Sequence, residues 1–342
     1  MPFVQPSRSD VHVNRPLTQV SLAFMQDATN FVADRVFPVV GSSKQSDAYF
    51  TYDRGEFNRN EMEERAPATE SAGGTYSIGQ DTYFARVNAF HRDIPDQVRA
   101  NADDPINLEA EASRFVTLKG LIKREVDWAT AFFTPADPGV IWTFDVDGAT
   151  TGSGAAFDPR DAANNQKLFW SDDASTPIED VRQGKRFVLE ETGFTPNKMT
   201  LGRETFDTLI DHPDIVGRVD RGQTTGPAMA MRDTLAALFE LDEILVMDSI
   251  QNTGAKGQAN ASAFIGGDNA LLTYSPPSPG IMTPSAGYTF SWTGYTGATG
   301  NGTRIKRFRQ EAIESDRIEI DMAYDQKLVA PDLGYFFGNM VQ

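Results

Sequence analysis

The chain has 342 residues, 40% hydrophobic, 23% charged and 11% aromatic, a composition that excludes collagen, coiled coil and wholesale disorder. Its formal charge of −17 argues against a basic surface that reads nucleic acid, and the lack of cysteine removes disulfides, Cys-ligated zinc and a thiol nucleophile. The length sets a prior of two domains, no apolar run reaches the roughly 18 residues of a spanning helix, and the N-terminus lacks the apolar region of a secretory signal, so a cytosolic site of synthesis is expected.

Residues 1–15, punctuated by Pro2 and Pro6 and followed by Pro16, read as an extended arm too polar to build a core. Val20, Phe24, Ala28 and Phe31 then recur at helical spacing behind a Thr18 N-cap, and Pro38 stops that helix. Ala48–Tyr52 reads as a strand, and Thr82 to Phe90 alternates as a second. Between them the chain is polar and charged: positions 45–75 hold seven acids and three arginines, a net of −4. Structureless loops beyond about 15 residues are uncommon in compact domains, so a long hairpin projecting from the body is expected, its tip seated on something else.

Asp104-Pro105 opens the clearest helix, with an N-cap, a proline at the first helical position and Glu109 and Glu111 near its start. Phe115, Leu118, Ile122, Val126, Ala129 and Phe133 give it one apolar stripe, and Thr134-Pro135 ends it. Such a helix is about 40 Å long and reads as a spine on which a sheet packs, despite an interior Gly120 that costs up to about 1 kcal/mol.

Residues 135–175 read as a Gly-, Asp- and Ala-rich surface connection with a strand at Val140–Phe144. Thr176-Pro177-Ile178-Glu179 combines a capping box with proline at the first helical position, and Gly193 is the C-terminal stop. A short strand at Met199–Leu201, a helix with Phe206, Leu209 and Ile210 ending at His212-Pro213, and a helix from Pro227 through Met231, Leu235, Leu238 and Phe239 follow. Glu243–Asp248 is a buried-type strand, and Ala263–Ile265 with Leu271–Tyr274 read as a further pair, so 176–275 is a compact α/β unit. Beyond the proline-rich 276–284 come strands at Tyr288–Trp292 and across Ile318, Ile320, Met322 and Tyr324, and an apolar end at Leu333–Phe337.

No motif supplies an active site. The glycines of 294–302 do not open a helix after a strand, as a dinucleotide fingerprint requires, and Gly184-Lys185 is followed by Arg186, so there is no P-loop. His12, His91 and His212 lack metalloprotease spacing, Asp145-Val146-Asp147-Gly148 lacks the rest of a calcium loop, and no serine sits in a nucleophile elbow. Glu63-Glu64 and Glu190-Glu191 read as solvated faces, and the basic cluster Arg304, Lys306, Arg307 and Arg309 is expected to pair with acids of this chain or a neighbour. No catalytic residue, metal site or cofactor is assigned. An arm, a charged hairpin and a spine helix are liabilities on a monomer and make sense when partner subunits cover them.

Taken in order, these elements resemble the major capsid proteins of tailed bacteriophages, whose fold is shared with encapsulin shells and the herpesvirus capsid floor. The resemblance covers nearly the whole chain. It rests on Tyr52-Asp53-Arg54-Gly55-Glu56-Phe57 and Glu64-Arg65-Ala66-Pro67 in the hairpin, and on Asp103-Asp104-Pro105-Ile106-Asn107-Leu108-Glu109 at the spine. Further along it rests on Thr192-Gly193-Phe194-Thr195-Pro196-Asn197, Asp211-His212-Pro213, Leu241-Asp242-Glu243-Ile244-Leu245-Val246 and the stretch from Asp316-Arg317-Ile318-Glu319-Ile320 to Leu328-Val329-Ala330-Pro331.

The resemblance implies an α+β capsid fold: an N-terminal arm and helix (1–40), an extended E-loop hairpin (41–100), a peripheral domain with the spine helix (101–175), an α/β axial domain (176–310), and a C-terminal strand (311–342) returning to the peripheral domain. It implies a non-enzymatic subunit that assembles with itself as pentamers and hexamers into an icosahedral head around double-stranded DNA. The partners implied are a portal and a decoration protein, with no sequence-specific DNA contact and no membrane; the place is the virion, assembled in the host cytoplasm. Because many relatives begin with a long scaffolding segment and this sequence opens on the arm, a separate scaffolding protein, or none, is expected. The E-loop residues Tyr52, Arg54, Phe57, Arg59, Glu63, Glu64 and Arg65 are the expected inter-subunit contacts. Some relatives cross-link covalently through an E-loop lysine; here Lys44 lies at the hairpin root, the next lysine is Lys119, and the positive residues between, Arg54, Arg59, Arg65, Arg86, Arg92 and Arg99 among them, are arginines. An encapsulin-type compartment is the alternative shell, and an α/β enzyme or ligand-binding module using 286–302 is the alternative of another class.

Overall fold

The computed structural model describes residues 25–102, 107–136, 138–220, 232–280, 282–297 and 302–342. After a 3-10 turn at Ala28–Asn30 come α1 (Ala33–Val36), β1 (Val39–Ser42), β2 (Ser46–Tyr52), α2 (Arg54–Phe57), β3 (Ile78–Phe84), β4 (Arg86–Pro95), α3 (Asp96–Ala100) and α4 (Leu108–Phe132). The middle of the chain gives β5 (Phe144–Ala149), β6 (Gln166–Leu168), α5 (Pro177–Thr192), β7 (Lys198–Gly202), α6 (Arg203–Asp211), α7 (Pro213–Asp220) and α8 (Arg232–Phe239). It continues through β8 (Glu243–Met247), β9 (Ile250–Asn252), β10 (Ser262–Phe264), β11 (Ala270–Thr273), β12 (Gly287–Trp292) and α9 (Thr293–Thr296) to β13 (Thr303–Gln310), β14 (Ser315–Leu328) and β15 (Gly334–Gly338).

Two sheets organise these elements. In the first, β14 is the axis: β4 pairs along one side of it over Ser315–Tyr324, while β13 and then β12 share its other side, and β1 adds in parallel to β12. Ile318, Ile320, Met322 and Tyr324 alternate along β14 and turn one face toward α4, as their period of two predicts. The second sheet has the order β6-β5-β15-β11-β7-β8. Its central strands β11 and β15 are buried throughout, which is why they read as nearly unbroken apolar runs. On β15, Tyr335 packs beside Phe187 of α5, whereas Phe336 meets Phe133 at the end of α4, so helices cover both faces.

The spine helix exists, but its buried face differs from the expected stripe. Ala112, Val116, Gly120, Arg124, Glu125, Trp128 and Phe132 are buried, whereas Phe115 is 37% exposed and Leu118, Ile122 and Val126 are half-buried. Only Ala129 and Phe133 of the expected line are fully enclosed. The reason is the sheet's proximity: a Cβ on Gly120 would lie 3.0 Å from Ile320 and Met322 side-chain atoms. Small residues line the close approach, and a stripe drawn through the large apolar residues misses them. The N-cap is Asn107, whose side chain accepts from the Ala110 N–H; the expected Asp104-Pro105 start lies outside the described residues.

Other expectations are corrected as well. The helix drawn from Thr18 to Pro38 lies outside the described residues up to position 24, and beyond it breaks into the 3-10 turn and the four-residue α1. The second hairpin strand is two strands: β3 pairs with β2, and at Ala85 the chain crosses to the first sheet as β4. The supposed surface connection supplies β5 and β6, with its strand at 144–149 rather than 140–144, and Asp145 of the Asp-Val-Asp-Gly motif is buried in β5. The helix with Phe206, Leu209 and Ile210 does end at His212-Pro213, where a further helix, α7, begins at Pro213; His212 is buried and its Nδ1 accepts the Asp214 N–H at 3.1 Å. The helix expected from Pro227 is described from Arg232. β10 pairs with β9, not with β11. α5 spans the expected residues and ends at Gly193 with φ +79°, yet Thr176 makes no side-chain cap, and Glu179 pairs with Arg218 instead.

The root of the N-terminal segment is fastened to α4 by two adjacent buried side chains. Glu125 Oε2 accepts the Val32 and Ala33 N–H groups at 3.1 and 2.9 Å, and its Oε1 accepts from Val32 N–H at 3.0 Å and the Ser249 hydroxyl at 3.4 Å. Those two N–H groups are donors that a helix start leaves without an internal acceptor. Beside it Arg124 donates to Asp34 at 2.7 Å and lies over the Tyr324 ring. Burial pushes the Glu125 carboxyl up to about 7, against the lowering effect of the Val32, Ala33 and Ser249 donors and with a further push from Asp34.

Candidate functional site: a projecting hairpin and its seat

β2 and β3 pair in antiparallel register from Ser46↔Phe84 to Tyr52↔Ile78 and join no other strand. β-branched and aromatic residues run through Tyr49–Tyr52 and Thr82–Phe84, which suits a pleated ribbon, while the Gly- and charge-rich segment 53–77 forms the tip. Asp53 starts α2 by accepting the Gly55 N–H at 2.9 Å. Glu56 accepts from Ser77 N–H at 2.5 Å and so ties the two ends of the tip together. Tyr52, Phe57 and Tyr76 cluster with ring centroids 5.5–6.1 Å apart.

At its root the hairpin rests on the first sheet. Tyr83 stacks on Phe290 of β12 at 4.3 Å, and Tyr49 lies 5.5 Å from the same ring. Asp325 accepts the Phe84 N–H at 2.9 Å. Burial, then the hydrogen bond to Asp81, raises the Tyr49 phenol above its ordinary range, and that same bond holds Asp81 below its own.

Of the residues expected to make inter-subunit contacts, Arg54 reaches back to its own body: it donates to Asp332 at 2.5 Å and pairs with Glu191 near the end of α5. Arg160 donates to the second Glu191 oxygen at 2.5 Å, and the Thr143 hydroxyl to the second Asp332 oxygen at 2.5 Å. Tyr52 and Phe57 belong to the aromatic cluster. Arg59 pairs locally with Glu61 at 3.5 Å, Arg65 donates to the Thr69 carbonyl at 2.5 Å, and Glu63 and Glu64 are exposed. The tip thus does not gather these residues into one site. Sequence reasoning missed the seat, Glu191, Asp332 and Arg160, because Glu190-Glu191 resembles any solvated acidic pair and Asp332 is remote in the chain.

Between hairpin and body lies an apolar groove of about 800 Å³, lined by Tyr52 and Phe57 on one side and Phe194, Met282 and Tyr288 on the other. Phe50, Phe57, Tyr76, Ile78 and Phe84 of the hairpin remain between 49% and 61% exposed. The basic cluster lies on β13 and pairs within the chain: Arg304 and Lys306 with Asp321, Arg307 with Asp316 and Glu109, and Arg309 with Asp96. Donors from Arg307 and then Arg99 hold Asp316 down at about 2. A carboxyl lowered in this way stabilises the fold above its unfolded pKa and loses that contribution as pH falls. Acidification from pH 4 toward 2 should therefore destabilise the fold, and Asp316→Asn should shrink that loss in acid-titrated circular dichroism. An unchanged acid limb would contradict the arrangement.

The hairpin thus carries charged residues and uncovered apolar side chains, and it is rooted on a sheet that packs on one long helix. Among the described residues no group of three or more His, Asp or Glu side chains could hold a metal ion. The solved structure of a phage-related protein from Bordetella bronchiseptica matches over 91% of this chain and 93% of its own, at 20% identity and a TM-score of 0.65. The capsid of cyanophage P-SCSP1u matches over 99% of both chains, at 12% identity and a TM-score of 0.56. The chain has the phage major capsid fold. Encapsulin shells share it: the encapsulin of Synechococcus elongatus matches over 96% of this chain and 95% of its own, at 8% identity and a TM-score of 0.53. In sequence, a protein named major capsid protein from Pseudomonas phage JBD67 is 25% identical over 98% of this chain and 99% of its own length. The chain is a homologue of such capsid proteins, although no family model matches it.

Proposed function

We propose that the chain is the major capsid subunit of a tailed phage, assembling as pentamers and hexamers into the icosahedral head around double-stranded DNA. What carries the reading is the full-length likeness to a phage major capsid protein combined with a hairpin whose apolar side chains its own subunit leaves uncovered. The subunit acts by burying surface, not by catalysis. Segments 1–40, 41–100, 101–175, 176–310 and 311–342 serve as arm, E-loop hairpin, peripheral domain, axial domain and returning strand. Tyr52, Arg54, Phe57, Arg59, Glu63, Glu64 and Arg65 meet neighbouring subunits, where mixed charges set register more than affinity. A scaffolding protein, a portal and a decoration protein are its partners, and the net charge of −17 keeps the wall from adhering to DNA.

Expressed at high concentration with its scaffolding partner, the protein should form closed shells and capsomers in negative-stain microscopy. A species that stays monomeric in sedimentation would sink the reading. Shells that co-purify with an enzyme cargo and need no portal would favour the encapsulin alternative, and a monomer with a saturable small ligand the enzyme or binding class.

The shell is held without covalent links. Lys44 sits at the hairpin root, exposed and 3.4 Å from Asp47, and a guanidinium on the tip stays protonated and is no substitute nucleophile. Mature particles boiled in detergent should run as one band near 37.6 kDa. A ladder with isopeptide-linked peptides in mass spectrometry would overturn this.

A further inference from the structure

β6 is a three-residue strand, Gln166–Leu168, at the edge of the second sheet, and only β5 pairs with it. Its middle side chain reaches across to α5. The Lys167 Nζ lies 2.7 Å from the Gln183 Oε1 and 3.1 Å from the Asp180 Oδ1. The two α5 residues stand three positions apart and so share one face of the helix. Asp180 is buried, and the Trp170 Nε1 donates to its second oxygen at 3.2 Å, which fixes the carboxyl beside the amine. The Phe157 ring screens the lysine nitrogen from another side, with its centroid 4.2 Å away. An amine, a carboxamide and a buried carboxyl thus stand within contact of one another. Holding reactants in this way replaces a collision with a fixed approach. Burial raises the Asp180 carboxyl above its ordinary range, against the pull of Lys167 and Trp170. Ionising both partners in such a place is costly, which favours passing a proton from the ammonium to the carboxylate.

We propose that Lys167 and Gln183 join in an isopeptide bond within the chain, with Asp180 as the group that carries the proton. Asp180 takes one proton from the ammonium, and the freed Nζ attacks the Gln183 Cδ. The Cδ–Nε2 bond breaks as Asp180 returns that proton to the leaving nitrogen and accepts a second one from Nζ. Ammonia departs into the adjoining cavity of about 420 Å³, which Phe157, Lys167, Thr176 and Asp180 help to line. It takes up the second proton as ammonium and leaves Asp180 ionised. An ammonium side chain and a carboxamide have become a secondary amide and an ammonium ion, with no oxidant, reductant or cofactor. The bond ties an edge strand to the helix that covers its sheet. It joins no two subunits, so it goes beyond the capsid reading and does not depend on it, and the single band expected in detergent is unchanged.

The test is the intact mass of the purified, denatured full-length chain. The expected mass is below that of the sequence by one molecule of ammonia. Trypsin should leave residues 161–182 uncut at Lys167 and joined to Gln183-Gly184-Lys185. Lys167→Met and Asp180→Asn should both restore the full mass, the second because an amide keeps the shape of the carboxyl but does not take the proton. A wild-type chain at full sequence mass, cut normally at Lys167, would overturn the proposal, and this measurement decides the bond even where a variant does not fold. An ammonia loss that persists in Lys167→Met would also overturn it, by placing the loss at another side chain. Equal loss in wild type and Asp180→Asn would overturn the role given to Asp180.

Discussion

Deleting residues 55–75 should leave a subunit that melts in one cooperative transition and forms no shells. Every residue from 58 to 82 is exposed, and no side chain between 53 and 77 enters a core, so the only packed apolar side chain the deletion removes is the half-exposed Phe57. Asp53-Arg54 would join Tyr76-Ser77 directly, closing β2 and β3 with a tight turn, and the Tyr83–Phe290 stack at the root is untouched. Folding stability should change by less than about 1 kcal/mol, as for surface changes away from packing. Assembly should be abolished, because the deletion removes Phe57 from the aromatic cluster together with Arg59, Glu63, Glu64 and Arg65, the charged residues assigned to contacts between subunits. Thermal melts and sedimentation of the same preparation decide it. A variant that fails to fold, or one that assembles like wild type, would remove the hairpin from its assigned role.

The second large effect belongs to Glu125. Its folded pKa of about 7 stands above the ordinary value of 4.5, so the folded state favours the protonated acid. The stability associated with that proton is fully present below about pH 4.5 and is lost as pH rises through 7. By linkage the loss amounts to about 3 kcal/mol. The geometry accommodates both forms: when Oε1 carries the proton it can donate to Ser249, while Oε2 still accepts from Val32 and Ala33. The charged group that acts on the Glu125 carboxyl is Asp34 on α1, which is itself paired with Arg124 of α4. Urea denaturation should therefore show wild-type stability falling between pH 5 and pH 8, and Glu125→Gln should remove most of that slope. Glu125→Leu leaves the Val32 and Ala33 donors without an acceptor and should cost roughly 3 kcal/mol at pH 5, where the wild-type acid is largely protonated. Equal slopes in wild type and Glu125→Gln would refute the account.

Amino-acid order alone determined the elements whose rules are local. α5 begins at Pro177 and stops at Gly193 because proline suits a first helical turn and glycine adopts the left-handed end. β14 alternates so that its face toward α4 was legible, and the basic cluster's pairing with acids was expected from composition, although only the structure shows that those acids belong to the same chain. The projecting hairpin was legible too, because a charged stretch of that length has no place in a core. Tertiary structure decided what depends on residues far apart in the chain. Gly120 and Ala112 make the close approach to β14, while Phe115 packs farther out on Phe90 of β4, because the distance between helix and sheet is set by Ile320 and Met322, about two hundred positions after Gly120. Whether 82–90 is one strand or two depends on β2 and β14 competing for it, and β5 joins the second sheet only because β15 lies beside it. Arg54 finds Asp332 across 278 residues. A charge finds its partner by folding, and no spacing in the sequence announces which carboxylate that will be.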